Sequence, residues 1–133
     1  MLGGCNKRER PATFIESNPN WINVKVSQKQ TRDSIWINLT DLLAKRYDLE
    51  IINRDIGYIR TAWKCEVDFS VSGKVVNEYR KRVIVKINSD SSNVELKAEA
   101  QWWNTKFWVN GYDSTDLNTV KTDISAIISD IAK

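Results

Sequence analysis

Apolar and polar residues alternate through the middle of the chain, from Ile56 to Phe69. One set of alternate positions carries Ile59, Thr61, Trp63, Cys65, Val67 and Phe69. The other set carries Tyr58, Arg60, Ala62, Lys64, Glu66 and Asp68. This pattern is typical of a strand with one buried and one solvated face. We therefore predict a single long inner strand of an antiparallel sheet, with Trp63, Cys65 and Phe69 directed into the core.

Two further alternating segments, residues 79–87 and 94–103, are separated by six polar residues. The polar segment predicts a hairpin loop. Folding the chain about it brings the two apolar faces together and places opposite charges side by side. The predicted pairs are Ile87 with Val94, Val85 with Leu96, Val83 with Ala98, Lys86 with Glu95 and Arg82 with Glu99.

The loop around Gly73 joins the first long strand to the second. Folding the chain about this loop is predicted to pair Glu66 with Arg82 and Asp68 with Arg80, which again places opposite charges on neighbouring strands. The three long strands would then form a meander.

Two segments have the spacing of amphipathic helices. Thr31 or Asp33 can cap the first, and Ser114, Thr115 or Asp116 can cap the second. The apolar stripes are Ile35, Trp36, Leu39, Leu42 and Leu43 in the first helix, and Leu117, Val120, Ile124, Ile127, Ile128 and Ile131 in the second. Such stripes need an apolar surface to cover them, and the sheet offers one.

Shorter strands are expected at residues 22–26 and 49–53, and a further one before a turn at Asn110 and Gly111. The order β-α-β-β-β-β-α predicts an α+β fold of two layers, in which an antiparallel sheet of five to six strands carries two helices on one face. The first strand is placed at the sheet edge beside the last long strand. Residues 21–133 form one domain, whereas residues 1–20, which hold both prolines, read as a flexible tether.

Composition narrows the function. The 133 residues carry a net charge of only +3, and they include six tryptophans, two cysteines and no histidine. No nucleophile, base and metal-ligand set stands out, so we expect neither an enzyme nor a cofactor or metal. A nucleic-acid surface on Tyr58, Arg60, Lys64, Arg80 and Arg82 is disfavoured, because acidic residues share that face.

The N-terminal residues Leu2, Gly3, Gly4 and Cys5 resemble the lipobox of bacterial lipoproteins. The resemblance implies a lipid anchor on Cys5, and it implies that Met1 replaces the apolar part of a signal peptide. Asn6 after the cysteine implies the outer membrane of the cell envelope, with the protein facing the periplasm. The alternative is that the four residues form an ordinary polar leader.

The run IWINLTDLLAKRYDLEIINRDIGYIRTAW at residues 35–63, followed by YRKRVIVKI at residues 79–87, resembles the helix-grip domain of BamC, a lipoprotein of the outer-membrane barrel assembly machinery. The shared features are the tryptophan at the helix start, the Asp-Ile-Gly turn and the arginine-bearing strand. The resemblance implies a helix-grip fold and a non-catalytic role among envelope proteins. Members of that family have two such domains, and this chain has one.

Four aromatic residues near the end of the sheet, Trp103, Phe107, Trp108 and Tyr112, are candidate contacts for a protein partner, because tryptophan and tyrosine often anchor interfaces. Packing onto the core would explain them equally well. The second functional hypothesis is a periplasmic carrier that holds an apolar ligand between helix and sheet. Bulky inward residues at Trp63, Phe69, Leu96 and Trp102 argue for a filled core instead.

Overall fold

The computed structural model describes residues 10–26, 30–69, 72–73 and 75–129. These residues form an α+β fold with an antiparallel sheet and two helices. The strands are β1 (Phe14–Glu16), β2 (Ile22–Lys25), β3 (Leu49–Asn53), β4 (Tyr58–Thr61), β5 (Lys64–Phe69), β6 (Val75–Ile87), β7 (Asn93–Trp103) and β8 (Trp108–Asp113), and the helices are α1 (Arg32–Ala44) and α2 (Ser114–Ser129). The fold class is as predicted, but the sheet has eight strands rather than five to six.

The long strands β6 and β7 form the centre of the sheet, and their register is the predicted one. Ile87 lies opposite Val94, Arg82 opposite Glu99, and the pairs between them follow the same register. Strands β4 and β5 share the other edge of β6, and β2 and β8 share the other edge of β7. The sheet therefore has two halves. We call the half that contains β1, β5, β8 and the adjoining ends of β6 and β7 the distal half.

The predicted long strand is divided into β4 and β5 by a bulge. Arg60 lies opposite Ile84 and Lys64 opposite Lys81, so four steps on one strand face three on β6. The Thr61 hydroxyl accepts a hydrogen bond from the amide of Val83 at this point (3.0 Å). One extra residue reverses the faces of all side chains that follow.

This reversal corrects several predictions. Cys65 is exposed rather than buried, and Phe69 is 63% exposed. The first hairpin is also out of the predicted register, because Glu66 lies opposite Tyr79 and Asp68 opposite Asn77. Thr61, before the bulge, is fully buried as predicted.

The main core lies between the helices and one face of the sheet, which we call the inner face. The Thr31 side chain caps α1 by accepting from the amide of Ser34 (3.1 Å). The predicted apolar stripes are largely confirmed, and residue 131 lies outside the described residues. The fully or nearly buried side chains include Ile35, Trp36, Leu39 and Leu43 from α1, Val120, Ile124 and Ile128 from α2, and Ile59, Val83, Val85, Ile87, Val94 and Leu96 from the sheet.

A second, smaller core forms in the distal half and involves the segment predicted as a tether. Phe14 in β1 is buried against Tyr79, Ala100 and Val109. The strand pairs with β8, so folded structure begins before residue 21. Gly111 permits this approach, since a Cβ there would lie 2.1 Å from the carbonyl oxygen of Ile15.

The predicted turn at Asn110 and Gly111 is wrong, because both residues lie within β8. Gly111 is present because β1 packs closely against it, and not because the chain turns there. The first strand of the prediction, β2, does pair with β7, where Val24 lies opposite Val94. Neither helix in the described part of the chain is long and apolar enough to cross a bilayer.

Candidate functional site: an arginine–tryptophan surface

Alternating guanidinium and indole groups cover the outer face of the distal half, opposite the second core. We call the set of Trp63, Arg80, Arg82, Trp103 and Trp108 the outer cluster. The two arginines point outward because they alternate along β6 with the inward Tyr79 and Val83, which are buried. The two C-terminal tryptophans are cross-strand partners on β7 and β8. Trp63 joins them from the bulge between β4 and β5.

The side chains of the outer cluster form a continuous series of contacts across the surface. The guanidinium carbon of Arg82 is 4.2 Å from the ring centre of Trp63, and that of Arg80 is 4.6 Å from the same ring. Arg80 also lies 4.0 Å from the ring centre of Trp108, whose ring is 5.5 Å from that of Trp103. Cation–π contacts of this kind each contribute roughly 0.5–2 kcal/mol, with the larger values where water is excluded.

Hydrogen bonds fix the two arginines differently. Arg82 donates from Nε to the carboxylate of Glu99 (2.6 Å). Arg80 donates from Nε and Nη2 to the Gln101 side-chain oxygen, at 2.7 Å for Nε. The Gln101 amide nitrogen in turn donates to the side-chain oxygen of Asn110 (2.6 Å).

Arg80 therefore has a neutral hydrogen-bond partner, whereas Arg82 has an anionic one. Burial lowers the pKa of the Arg80 guanidinium below its usual value; Cys65 opposes this shift, and the charge of Arg82 adds to it. The cation remains, because arginine titrates far above neutral pH. Its positive charge is therefore partly withdrawn from water and is held by rings and a neutral amide.

An open groove of about 400 Å³ borders the outer cluster. It lies where β2 and β8 meet the same edge of β7 but leave a gap between them. One wall is the connection from β1 to β2. The groove is lined by Asn18, Pro19, Trp63, Arg82, Lys97, Glu99, Ala100, Gln101, Asn110 and Gly111. Trp21 makes further cation–π contacts, because the ammonium groups of Lys86 and Lys97 lie 5.0 and 5.5 Å from its ring centre.

The structure brings together some of the candidate contact residues. Trp103 and Trp108 are partly exposed neighbours. Phe107 is 58% exposed in the turn before β8, and Tyr112 lies on the same face of β8, further from the turn. Cys5 lies outside the described residues.

Sequence reasoning missed Trp63 and the two arginines as members of this surface. The alternation along residues 59–69 assigned Trp63 to the core, and no local signal marks the bulge. The arginines were instead interpreted as partners of acidic residues, which holds for Arg82 but not for Arg80.

A second concave region, of about 360 Å³, lies on the inner face beside the start of α2. Its charged groups are paired: Lys81 binds Glu66 (2.8 Å), and Asp113 accepts from Tyr79 (2.9 Å). Burial and this hydrogen bond raise the pKa of Tyr79, so its hydroxyl stays protonated. The arrangement is that of a structural network rather than an activated nucleophile.

No protein-family model matches the chain, and no curated protein is significantly similar to it.

Proposed function

We propose that the protein is a membrane-anchored envelope lipoprotein that acts as a non-catalytic protein-interaction or assembly module. Its contact surface is the outer cluster together with the exposed apolar residues around it. The observation that carries the proposal is the outer cluster itself, which joins three tryptophans and two arginines on a face that neither helix covers.

Tryptophan and arginine are the residue types most enriched in the energetic centres of protein interfaces. Exposed apolar side chains on the same half of the sheet extend the surface: Ile15 is 40% exposed, Val67 43% and Phe107 58%. Single exposed apolar residues are normal on soluble proteins, whereas a group of them beside aromatic rings favours an interface.

The anchor rests on the lipobox-like residues ending in Cys5, and the envelope location follows from it. We place the chain at the outer membrane, facing the periplasm, and we propose a role similar to that of BamC-like helix-grip domains. The alternative, a carrier of an apolar ligand, has less support. The grooves of about 360, 400 and 510 Å³ in the described residues have many polar and charged side chains in their walls.

Photo-crosslinking in the native envelope tests the contact surface. A photoreactive phenylalanine analogue replaces Phe107 or Val67, and matched controls carry it at Ile37 or Ile56, which are 52% and 64% exposed away from the outer cluster. We expect discrete crosslinked products at the first two positions and none at the controls. Equal product yields at all four positions would contradict the proposed surface.

The anchor has a separate test. Replacing Cys5 with serine should move the protein from the membrane fraction to the soluble fraction when it is expressed with an export signal. The reason is that no thioether to a lipid can form. An unchanged distribution between the fractions would contradict the lipid anchor and leave the crosslinking result to stand alone.

A further inference from the structure

We infer that Arg80 receives a carboxylate from the protein partner, so that the segment docking on the outer cluster is acidic. This inference rests on the proposed function and names the chemistry of its partner. The ligand is an extended polypeptide segment in which a glutamate or aspartate is flanked by apolar side chains.

The first argument is a contrast along β6. Three consecutive residues of this strand are basic, and two of them have a carboxylate partner. Lys81 pairs with Glu66 at 2.8 Å and Arg82 with Glu99 at 2.6 Å. In the described part of the chain no ion pair joins Arg80 to an acidic residue, and the neutral side chain of Gln101 stands in that place.

The second argument is the direction of the hydrogen bonds. Arg80 uses Nε and Nη2 on Gln101, and Gln101 donates onward to the oxygen of Asn110. Within the described residues no hydrogen bond uses Nη1 of Arg80 or the amide nitrogen of Asn110. Arg80 and Asn110 therefore present N–H donors without an acceptor at the two ends of this hydrogen-bonded chain. A carboxylate accepts from such donors more strongly than a neutral group does.

The third argument is desolvation. Two indole rings cover Arg80, at 4.6 and 4.0 Å from its guanidinium carbon. A cation that is already partly dehydrated loses less solvation when an anion binds it, so the charge pair is favoured.

The surroundings select a single carboxylate over a polyanion. Glu99 lies beside Arg82 on this face, so a chain of phosphates along it would meet negative charge. Val67, which is exposed on β5 two residues from the position opposite Arg80, supplies an apolar contact for a residue that flanks the carboxylate.

The test uses defined probes. The acetylated and amidated tripeptide Val-Glu-Ile is titrated into the isotope-labelled full chain, and the Val-Gln-Ile peptide and inorganic phosphate are titrated separately. The readouts are the Nε–H resonance of Arg80 and the indole N–H resonances of Trp63 and Trp108. We expect the glutamate peptide to bind about tenfold to a hundredfold more tightly than the glutamine peptide, the range for a charge-assisted hydrogen bond. The difference should fall as salt is added.

Two variants separate a binding role from a structural one. Arg80→Gln should remove the preference for the glutamate peptide, and Arg80→Lys should retain part of it because the charge stays. Arg60→Gln is the matched control, since Arg60 is paired with Glu50 (2.7 Å) and is not a member of the outer cluster. Amide spectra of all variants report whether the fold is retained.

Several results would overturn the inference. They are equal binding of the two peptides, absence of binding by both, tighter binding of phosphate, or an unchanged preference in Arg80→Gln. If crosslinks at Phe107 and Val67 still form in those cases, the interaction surface stands and only the acidic partner is refuted. If the glutamate peptide binds but no crosslinks form, the proposed function fails instead.

Discussion

Asp113 ties three separate elements together, and its removal should cost more than any surface change. Its Oδ2 accepts hydrogen bonds from the Thr13 hydroxyl (2.6 Å) and the Tyr79 hydroxyl (2.9 Å). Its Oδ1 accepts from the amide of Asp116 (2.8 Å), so it caps α2 one residue before the predicted caps. The side chain is only 6% exposed.

The magnitude follows from these contacts. Hydrogen bonds to a charged group contribute about 1.5–3 kcal/mol each, and a helix cap contributes about 1 kcal/mol. Asp113→Ala should therefore lower the free energy of unfolding by about 4 kcal/mol, because the Tyr79 hydroxyl is left buried without an acceptor. Asp113→Asn keeps the capping oxygen and should cost about 1–2 kcal/mol.

The charge adds a pH dependence. Burial alone would raise the pKa of Asp113, but the hydrogen bonds from Thr13, Asp116 and Tyr79 and the charge of Lys81 together lower it. A carboxyl group whose folded pKa is lowered contributes stability above its unfolded pKa, near 4, and loses it as pH falls through the folded value. The stability difference between the wild type and Asp113→Asn should therefore shrink below about pH 4.

Urea denaturation followed by tryptophan fluorescence at pH 7 and at pH 3 measures both effects. Asp41→Asn, an exposed carboxylate on α1, is the matched control and should leave the transition unchanged. A loss below about 1 kcal/mol in Asp113→Ala, or an Asp113→Asn difference that stays constant down to pH 3, would refute the reasoning.

Three further predictions concern the rest of the fold. Gly111→Ala should displace β1, because the new Cβ would lie 2.1 Å from a backbone oxygen; chymotrypsin should then cut faster after Phe14, which is buried in β1, and an unchanged rate would contradict the tight packing. Cys65 should react with a thiol reagent in the native protein at nearly the rate of the urea-unfolded chain, whereas protection would place it in the core. Thr31→Ala should lower the free energy of unfolding by about 1 kcal/mol through loss of the α1 cap, and a thermal melt without any shift would show that the cap is dispensable.

The sequence predicted best where one face of an element is buried along its whole length. The register of β6 and β7 follows from apolar residues that all face the helices, since a slip of one residue would expose them. The same logic failed at Thr61, because a bulge needs only one extra residue and leaves the alternation of letters intact. Trp63 was consequently assigned to the wrong face, and with it the centre of the candidate site.

Long-range partners account for the other differences. Phe14 carries no periodic pattern around it, so β1 becomes visible only when β8 offers an edge and Gly111 offers space. The cap at Asp113 was missed for a related reason, because its strongest partners, Thr13 and Tyr79, are distant along the chain. Trp103 and Trp108 were found because they follow one another closely around a short turn.

The position of β1 limits how far the folded domain can lie from the proposed lipid anchor. Five residue steps separate Cys5 from Arg10, and a fully extended chain covers at most about 3.6 Å per residue, or roughly 18 Å in total. If Cys5 is lipidated, Arg10 cannot rise further than this above the bilayer surface, and Ile15 and Tyr112 follow it closely. The sheet edge formed by β1 would then lie close to the bilayer, so a partner of that edge would have to reach the membrane surface.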